Sequence, residues 1–186
     1  DARRCIYCQD APCGQCCPTN LDVKEYVHAA AARNWYYAAK MILSQNPIPL
    51  STGQLCNTAK SCRGSCNLKN TMAGPIHTNA IQTHVVRRFR NFNIKQIVPP
   101  NNGHKVAIVG AGPSGMSCAA FLRRFGIEVT IFEKESFAGG ILAREILPFR
   151  VPKEDVDFEV QMLKDINVNF QFNKEIGKDF TVDSLL

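Results

Sequence analysis

The sequence lacks any long uninterrupted run of apolar residues. No stretch approaches the roughly 18–20 residues that a membrane-spanning helix requires. The opening residues, in which Arg3-Arg4 precede cysteines, do not resemble a secretory signal peptide. Histidine is also scarce, and the four histidines do not show the spacing of zinc-finger ligands. We therefore expect no membrane span and no histidine-containing zinc finger.

A concentrated positive charge is also lacking. The formal net charge is +6, from 22 Lys and Arg against 16 Asp and Glu, and it is scattered along the chain. The densest basic stretch, Arg87-Arg88-Phe89-Arg90, is typical of a solvated helix face. We expect no nucleic-acid partner.

Cysteine, by contrast, is abundant, with nine residues of which eight precede position 67. The first set reads Cys5-x2-Cys8-x4-Cys13-x3-Cys17-Pro18, and a second set is formed by Cys56, Cys62 and Cys66. The closest general pattern is that of bacterial ferredoxins, in which the cysteine before proline binds the other of two clusters. The spacing therefore favours iron–sulfur clusters.

Two alternatives remain at this stage. Disulfides are disfavoured because the cysteine count is odd and the spacings are short, and zinc because a Cys-x5-Cys-x3-Cys run suits it poorly. A reducing compartment follows, so we expect a cytoplasmic protein, or one on the matrix side of mitochondria if it belongs to a redox assembly. Cys16 and Cys118 are expected to be structural, as buried free cysteines often are.

Apolar periodicity predicts three helices in the first half of the chain. One starts near Asp22, with Val23, Tyr26, Val27 and Ala30 on one face. A second spans about 35–44 and is ended by Asn46-Pro47-Ile48-Pro49. A third spans about 77–91, with Ile81, Val85 and Phe89 at four-residue spacing. Residues 1–18 and 51–76 are expected to be irregular, and residues 93–104 to form a linker. We predict an all-helical domain over residues 1–98, with metal clusters compensating for its thin core.

After the linker, the sequence changes from helical periodicity to an alternation of strands and helices. Residues 105–109 form a β-strand pattern typical of burial in a parallel sheet, Gly110-Ala111-Gly112-Pro113-Ser114-Gly115 follows, and residues 128–132 predict the next strand. The intervening helix is expected to turn Ala119, Leu122 and Phe125 inward. This βαβ context predicts a partial Rossmann-like domain over residues 99–186 that binds a dinucleotide.

Residues after the second strand indicate which dinucleotide the domain binds. Glu133 can accept hydrogen bonds from a ribose hydroxyl, and its charge would repel the extra phosphate of NADP, so the sequence favours FAD or NAD. Gly139-Gly140, soon after that strand, is typical of flavoproteins and favours FAD.

Together these motifs resemble the amino-terminal part of dihydropyrimidine dehydrogenase and, similarly, the small subunit of glutamate synthase. The resemblance covers essentially all 186 residues, including local strings such as Cys17-Pro18-Thr19-Asn20-Leu21-Asp22 and Gly74-Pro75-Ile76. It implies two [4Fe–4S] clusters. One would be bound by Cys5, Cys8, Cys13 and Cys66, and the other by Cys17, Cys56, Cys62 and the side chain of Gln82.

The resemblance also implies a set of FAD-binding positions. They are Leu55, Gly110, Ala111, Gly112, Pro113, Ser114, Gly115, Glu133, Lys134, Gly139, Gly140, Ile141 and Arg150. One departure concerns Arg150, because Pro148 directly precedes Phe149 here, whereas the family usually has one residue between them. No side chain is a convincing acid–base catalyst.

The same resemblance implies that NADPH, the distant electron donor, and the final acceptor bind elsewhere. The sequence contains one G-x-G-x-x-G motif. We therefore expect an electron-transfer module that passes electrons from FAD to the two clusters, as part of a larger oxidoreductase or beside other redox subunits. The alternatives are a non-catalytic accessory iron–sulfur subunit, a fragment of a glutamate synthase small-subunit-like diaphorase, and a zinc-containing NAD-binding protein.

Overall fold

Side-chain caps begin the two longest helices near the amino terminus. Asp22 accepts a hydrogen bond from the Glu25 N–H at 3.0 Å and starts α2 (Val23–Ala31). Asn34 accepts from the Tyr37 N–H at 3.1 Å and starts α3 (Trp35–Gln45). Each cap satisfies a backbone donor that the first helical turn leaves without an internal partner. Both predicted helix starts are confirmed.

The computed structural model describes residues 1–92 and 96–185, and it divides the chain into two units, Asp1–Ile94 and Lys95–Leu186. The first three residues of the predicted linker, 93–95, lie outside the described residues. The first unit also contains α1 (Pro12–Gln15), α4 (Pro49–Leu55), α5 (Thr78–Arg90) and two 3-10 turns, Ala2–Arg4 and Thr58–Lys60.

The core of the first unit lies where α2 packs against α3 and α5. Val23, Tyr26, Val27 and Ala30 of α2 are buried, as predicted from their spacing. The predicted stripe of α5, Ile81, Val85 and Phe89, is buried as well. Helical periodicity therefore identified the three core helices.

The expectation that residues 51–76 are wholly irregular is wrong, because α4 occupies Pro49–Leu55. Pro49 stands in the first turn of this helix, where the missing N–H of proline costs no hydrogen bond. Residues 1–18 are likewise not all loop, since α1 lies within them. Proline was interpreted only as the end of α3, although it also begins the next helix.

The second unit contains a parallel sheet with strand order β1-β2-β3. The strands are β1 (Lys105–Val109), β2 (Glu128–Phe132) and β3 (Val168–Gln171). The helices are α6 (Pro113–Arg124), α7 (Ile141–Arg144) and α8 (Lys153–Asp165), and a 3-10 turn covers Asp183–Leu185. Val106 pairs with Val129, and Val129 with Val168, so β2 is the central strand. The predicted class, a helical domain followed by a partial Rossmann-like sheet, is confirmed.

Two burial predictions for the second unit are wrong. The strand β1 is at the edge of the described sheet and alternates between exposed and half-buried residues, with Val109 51% exposed. Phe125 ends α6 and is 73% exposed. The buried face of α6 instead contains Met116, Ala119, Ala120 and Arg123. The Arg123 guanidinium donates to the carbonyls of Ile166 and Ile127, which explains its burial.

Among the described residues, no helix has the length and apolar character needed to cross a membrane.

The different burial of Phe125 and Ile131 predicts different costs of substitution. Ile131 is fully buried in β2, so Ile131→Ala should lower the free energy of unfolding by about 2–5 kcal/mol. Phe125→Ser should change it by less than about 0.5 kcal/mol because the ring already contacts solvent. Chemical denaturation followed by circular dichroism measures both; a large loss for Phe125→Ser would show that the ring packs in the core.

Candidate functional site

Four of the predicted cluster ligands line one cavity in the first unit. Cys5, Cys8, Cys13 and Cys66 all face it, and Cys62 contributes to the wall. Its empty space, part of which opens to solvent, is about 460 Å³. The rest of the lining is mostly apolar and comes from loops and from α2 and α5. The structure therefore brings together the four thiols that the resemblance assigns to one cluster.

The electrostatics of this cavity favour the neutral thiol of Cys13 unless a cation is present. Burial raises the pKa of the Cys13 thiol to about 11. The Gly14 N–H opposes this rise, and the neighbouring thiols of Cys5 and Cys66 add to it. A metal ligand must be a thiolate. A cationic group in the cavity would offset both the desolvation and the mutual repulsion of the sulfurs.

The remaining three predicted cysteine ligands lie near one another. Partial burial raises the pKa of Cys56, the Ser61 hydroxyl lowers it, and the thiols of Cys62 and Cys17 raise it further. Neither Cys17 nor Cys56 lines the cavity described above. Cys17 follows Cys13 closely in sequence, yet it also lies near Cys56 and Cys62. The assignment of Cys17 to a second cluster stays a prediction.

Gln82 lies on α5 and is held against α4. Its side chain is 7% exposed, and its Nε2 donates to the Pro49 carbonyl at 2.8 Å. A Cβ added to Gly53 would stand 2.6 Å from the same Nε2, so this glycine makes room for the amide. Thr78, one helical turn before Gln82, contacts the sulfur of Cys62. Gln82 is thus on the helix that adjoins the second cysteine set, with its amide orientation fixed.

Tyr26 lies between the two cysteine sets. It is 1% exposed, and burial raises its pKa well above the ordinary value, with further increases from Cys62, Cys13 and Cys17. Its hydroxyl donates to the Thr78 carbonyl at 3.0 Å. Sequence reasoning identified Tyr26 only as a core residue of α2; its place beside both sets is a feature of the tertiary structure.

In the part of the chain that the structure describes, no three Cys, His, Asp or Glu side chains converge closely enough for a single metal ion. A [4Fe–4S] cluster distributes its ligands over four iron atoms, so its ligand atoms stand farther apart than those of one ion.

Cys16 and Cys118 are exposed, which corrects the expectation that they are buried structural residues.

In the second unit, the glycine-rich turn has the conformation that a dinucleotide site requires. Gly110 has φ +99°, a conformation that other residues rarely adopt. A Cβ at Gly115 would be 2.0 Å from the Gly110 carbonyl oxygen and 3.2 Å from Ile108 Cγ2, so this glycine lets α6 lie against β1. A Cβ at Gly112 would meet nothing within 4 Å. The space in front of Gly112, at the start of α6, is therefore open to a phosphate.

Glu133 has a structural role that sequence reasoning missed. Its side chain is 7% exposed. One carboxylate oxygen accepts from the Ala111 N–H at 2.7 Å and the other from the Glu135 N–H at 2.9 Å. The carboxylate thus connects the glycine-rich turn to the loop after β2. Each oxygen keeps a further lone pair with which it can accept a ribose hydroxyl.

The Gly139-Gly140 loop contacts the same turn. The Gly139 N–H donates to the Ala111 carbonyl at 2.8 Å, and a Cβ at Gly140 would be 2.9 Å from Gly112 Cα. Both glycines have positive φ, +110° and +52°. The close approach to Gly112 requires glycine at position 140, whereas a Cβ at Gly139 would meet Val156 Cγ1 at 2.8 Å and Ala143 Cβ at 2.9 Å.

A cleft lies where β1 and β2 end, which is where open α/β sheets bind ligands. Its lining includes Gly110, Glu133, Lys134 and Gly140. Ile141 begins α7 and is 48% exposed. Arg150 is exposed in a turn and is not among the residues that line the cleft, and Leu55 ends α4 in the first unit, next to Cys56.

Comparison with known proteins decides the family. Residues 1–94 match the family described as dihydropyrimidine dehydrogenase domain II, 4Fe-4S cluster. The chain belongs to this family. Residues 108–173 match the NAD(P)-binding Rossmann-like domain. The expected resemblance is confirmed, and a 4Fe-4S domain is followed by a dinucleotide-binding domain, the composition of an electron-transfer module.

Curated relatives of this family member cover both units. The NAD-dependent dihydropyrimidine dehydrogenase subunit PreT of Escherichia coli O157:H7 is 35% identical to this chain, over 187 residues that cover 100% of the chain and 45% of the relative. The protein of the same name from Salmonella typhimurium is 33% identical with the same coverage. The chain therefore spans slightly less than half the length of these relatives.

Two glycine substitutions separate dinucleotide binding from folding. Gly112→Ala places a methyl group in open space in front of the turn, so it should weaken binding of FAD or NAD by roughly tenfold, about 1.4 kcal/mol. Its effect on the free energy of unfolding should remain below about 0.5 kcal/mol. Gly115→Ala should instead destabilise the domain by about 1–3 kcal/mol because the methyl group overlaps the Gly110 carbonyl.

Fluorescence titration measures the first effect and thermal unfolding the second. Equal effects of both substitutions on stability would contradict the separate roles assigned to the two glycines.

Proposed function

We propose that this chain is the electron-transfer module of a dihydropyrimidine dehydrogenase-type oxidoreductase, with two [4Fe–4S] clusters in the first unit and FAD in the second. The observation that carries the proposal is the grouping of seven cysteines, in a 4Fe-4S family member, into two neighbouring sets. When bound, FAD accepts a pair of electrons from a nicotinamide donor and each cluster carries single electrons.

The residues of the first unit fit two clusters. Cys5, Cys8, Cys13 and Cys66 would hold the first, and their shared cavity has a mostly apolar lining. Cys17, Cys56 and Cys62 would supply three ligands of the second. Among the described residues, Arg63 Nε is a buried side-chain donor without a hydrogen-bond partner, and it stands between Cys62 and Cys66 in sequence. An anionic cluster would offer such a donor an acceptor.

Gln82 would complete the second set. Its Nε2 is committed to the Pro49 carbonyl, which leaves Oε1 as the end of the amide that can bind iron. A neutral oxygen in place of a thiolate makes the cluster less negative. Neutral ligands in place of thiolates raise the potential of Rieske clusters, and the same effect is expected here.

The second unit fits a flavin dinucleotide. Gly112 and the start of α6 would face the pyrophosphate, and Glu133 would accept a ribose hydroxyl while keeping its bonds to the turn. The contact between the Gly139-Gly140 loop and this turn supports FAD rather than NAD as the resident cofactor. Lys134 and Ile141 would flank it, whereas Leu55 and Arg150 are proposed from the family resemblance alone.

The electron donor is proposed to be a reduced nicotinamide dinucleotide that binds outside these 186 residues. The family resemblance favours NADPH, whereas the relatives are named NAD-dependent. Comparing NADH with NADPH as reductants of the larger oxidoreductase distinguishes the two. The remainder of that oxidoreductase, or a separate redox subunit, would accept the electrons.

Cofactor analysis of the anaerobically purified chain tests the proposal. We expect about eight irons, about eight acid-labile sulfides and one FAD per chain, because each [4Fe–4S] cluster contributes four of each atom. Both clusters without FAD would favour the accessory-subunit alternative. Zinc in place of iron, with no sulfide, would exclude the proposed function.

Gln82→Ala tests the proposed ligand. One of the two cluster signals in electron paramagnetic resonance should be lost or altered while the other persists. The matched control is Gln54→Ala, since the Gln54 amide also donates to α4, at the Leu50 carbonyl. Each glutamine variant loses a side-chain hydrogen bond to a backbone carbonyl, which is worth about 0.5–1.5 kcal/mol of stability, but only Gln82→Ala should change a spectrum. Two unchanged signals would mean that Gln82 is not a ligand.

A further inference from the structure

Hydroxyl groups accompany the thiols of the second cysteine set. Thr78 Oγ1 lies 3.0 Å from Cys62 Sγ, and Thr19 Oγ1 lies 3.3 Å from Cys17 Sγ. The Ser61 hydroxyl, by contrast, donates to the Asn57 carbonyl at 3.4 Å. Two of the three cysteines of this set, Cys17 and Cys62, therefore have a hydroxyl neighbour.

The first set differs in this respect. Among the described residues, no hydroxyl forms a hydrogen bond with Cys5, Cys8, Cys13 or Cys66. The polar neighbours of Cys13 are backbone N–H groups, including that of Gly14. The two sets thus present different hydrogen-bonding surroundings to the clusters that they would hold.

The direction of these hydrogen bonds follows from the chemistry of a ligand. A cysteine that binds iron is a thiolate and has no hydrogen to donate. The hydroxyl must therefore be the donor and the sulfur the acceptor. Such a bond is strongest when the sulfur is most negative, so it stabilises the reduced cluster more than the oxidised one. Hydrogen bonds to the sulfurs are among the factors that set cluster potentials.

Thr78 is the more buried of the two donors. It is 3% exposed as the first residue of α5. Its carbonyl accepts from the buried Tyr26 hydroxyl at 3.0 Å, so α2 holds its backbone in place. Thr19, in contrast, is exposed. Thr78 should therefore contribute more than Thr19.

We propose that the hydroxyls of Thr78 and Thr19 raise the reduction potential of the cluster held by Cys17, Cys56 and Cys62, and make it the more easily reduced of the two. The inference rests on the proposed function, because it requires the second cluster. Reduction here adds one electron to a cluster without forming or breaking a bond. The hydroxyls therefore change only the free energy of reducing the cluster. Their effect has the same sign as that of a neutral Gln82 ligand.

Potentiometric titration of the anaerobically purified 186-residue chain, followed by electron paramagnetic resonance, tests the inference. Thr78→Val keeps the shape of the side chain and removes the hydroxyl. It should lower the potential of one cluster by about 59 mV, which is a tenfold change in the ratio of reduced to oxidised cluster for a one-electron couple. The other potential should not move. Thr78→Ser, which keeps the hydroxyl, should restore most of the shift.

Thr83→Val is the matched control because Thr83 is also buried on α5, at 8% exposure, and has no hydrogen bond to a cysteine. It should leave both potentials unchanged. If Thr78→Val lowers the iron content, Thr19→Val provides the same test on an exposed residue, with a smaller negative shift expected. The iron and sulfide content of the unmodified chain tests the second cluster separately.

The possible outcomes distinguish the effect of the hydroxyls on the cluster potential from the presence of two clusters. Two intact clusters whose potentials do not respond to Thr78→Val or Thr19→Val would overturn this inference and leave the proposed function standing. A single cluster in the unmodified chain would overturn the proposed function itself. A shift that Thr78→Ser fails to restore would show that packing, and not the hydroxyl, is responsible.

Discussion

The hydrogen bond from the Tyr26 hydroxyl to the Thr78 carbonyl, 3.0 Å long and buried, joins the two helices that bring the cysteine sets together. Tyr26 comes from α2 and lies beside thiols of both sets, and Thr78 begins α5 and contacts Cys62. The cysteines themselves are mostly in loops and turns rather than in the core helices. Their grouping therefore depends on the packing of α2 against α5, and the clusters would in turn bind these loops to that core.

Much of the first unit could be predicted because its helices obey simple periodicity. The apolar stripes of α2 and α5 and the cap at Asp22 are local signals, and the structure has them where the pattern indicated. The helix α4 was missed because Pro49 was interpreted as ending a helix, although proline is equally suited to beginning one. The grouping of Cys17 with Cys56 and Cys62 is tertiary, and the spacing alone left it open.

In the second unit, the sequence predicted the local turn but not which residues are buried. The glycine-rich turn was identified from its strand–turn–helix context, in which Gly110 and Gly115 answer local steric demands. The exposure of Phe125 and of β1 could not be predicted, since an apolar residue in a periodic pattern does not reveal which neighbours cover it. Glu133 illustrates the same point: its position after β2 indicated a ribose partner, while its bonds to Ala111 and Glu135 depend on how two loops meet.

The central claim is that Cys17 binds a different cluster from Cys5, Cys8 and Cys13, although all four lie in the same amino-terminal cysteine run. An experimental structure of the anaerobically purified chain, with iron located by anomalous X-ray scattering, tests it most directly. The account predicts two separate groups of four iron atoms, one beside Cys5, Cys8, Cys13 and Cys66 and the other beside Cys17, Cys56, Cys62 and Gln82. A single iron group bound by Cys5, Cys8, Cys13 and Cys17 would contradict it.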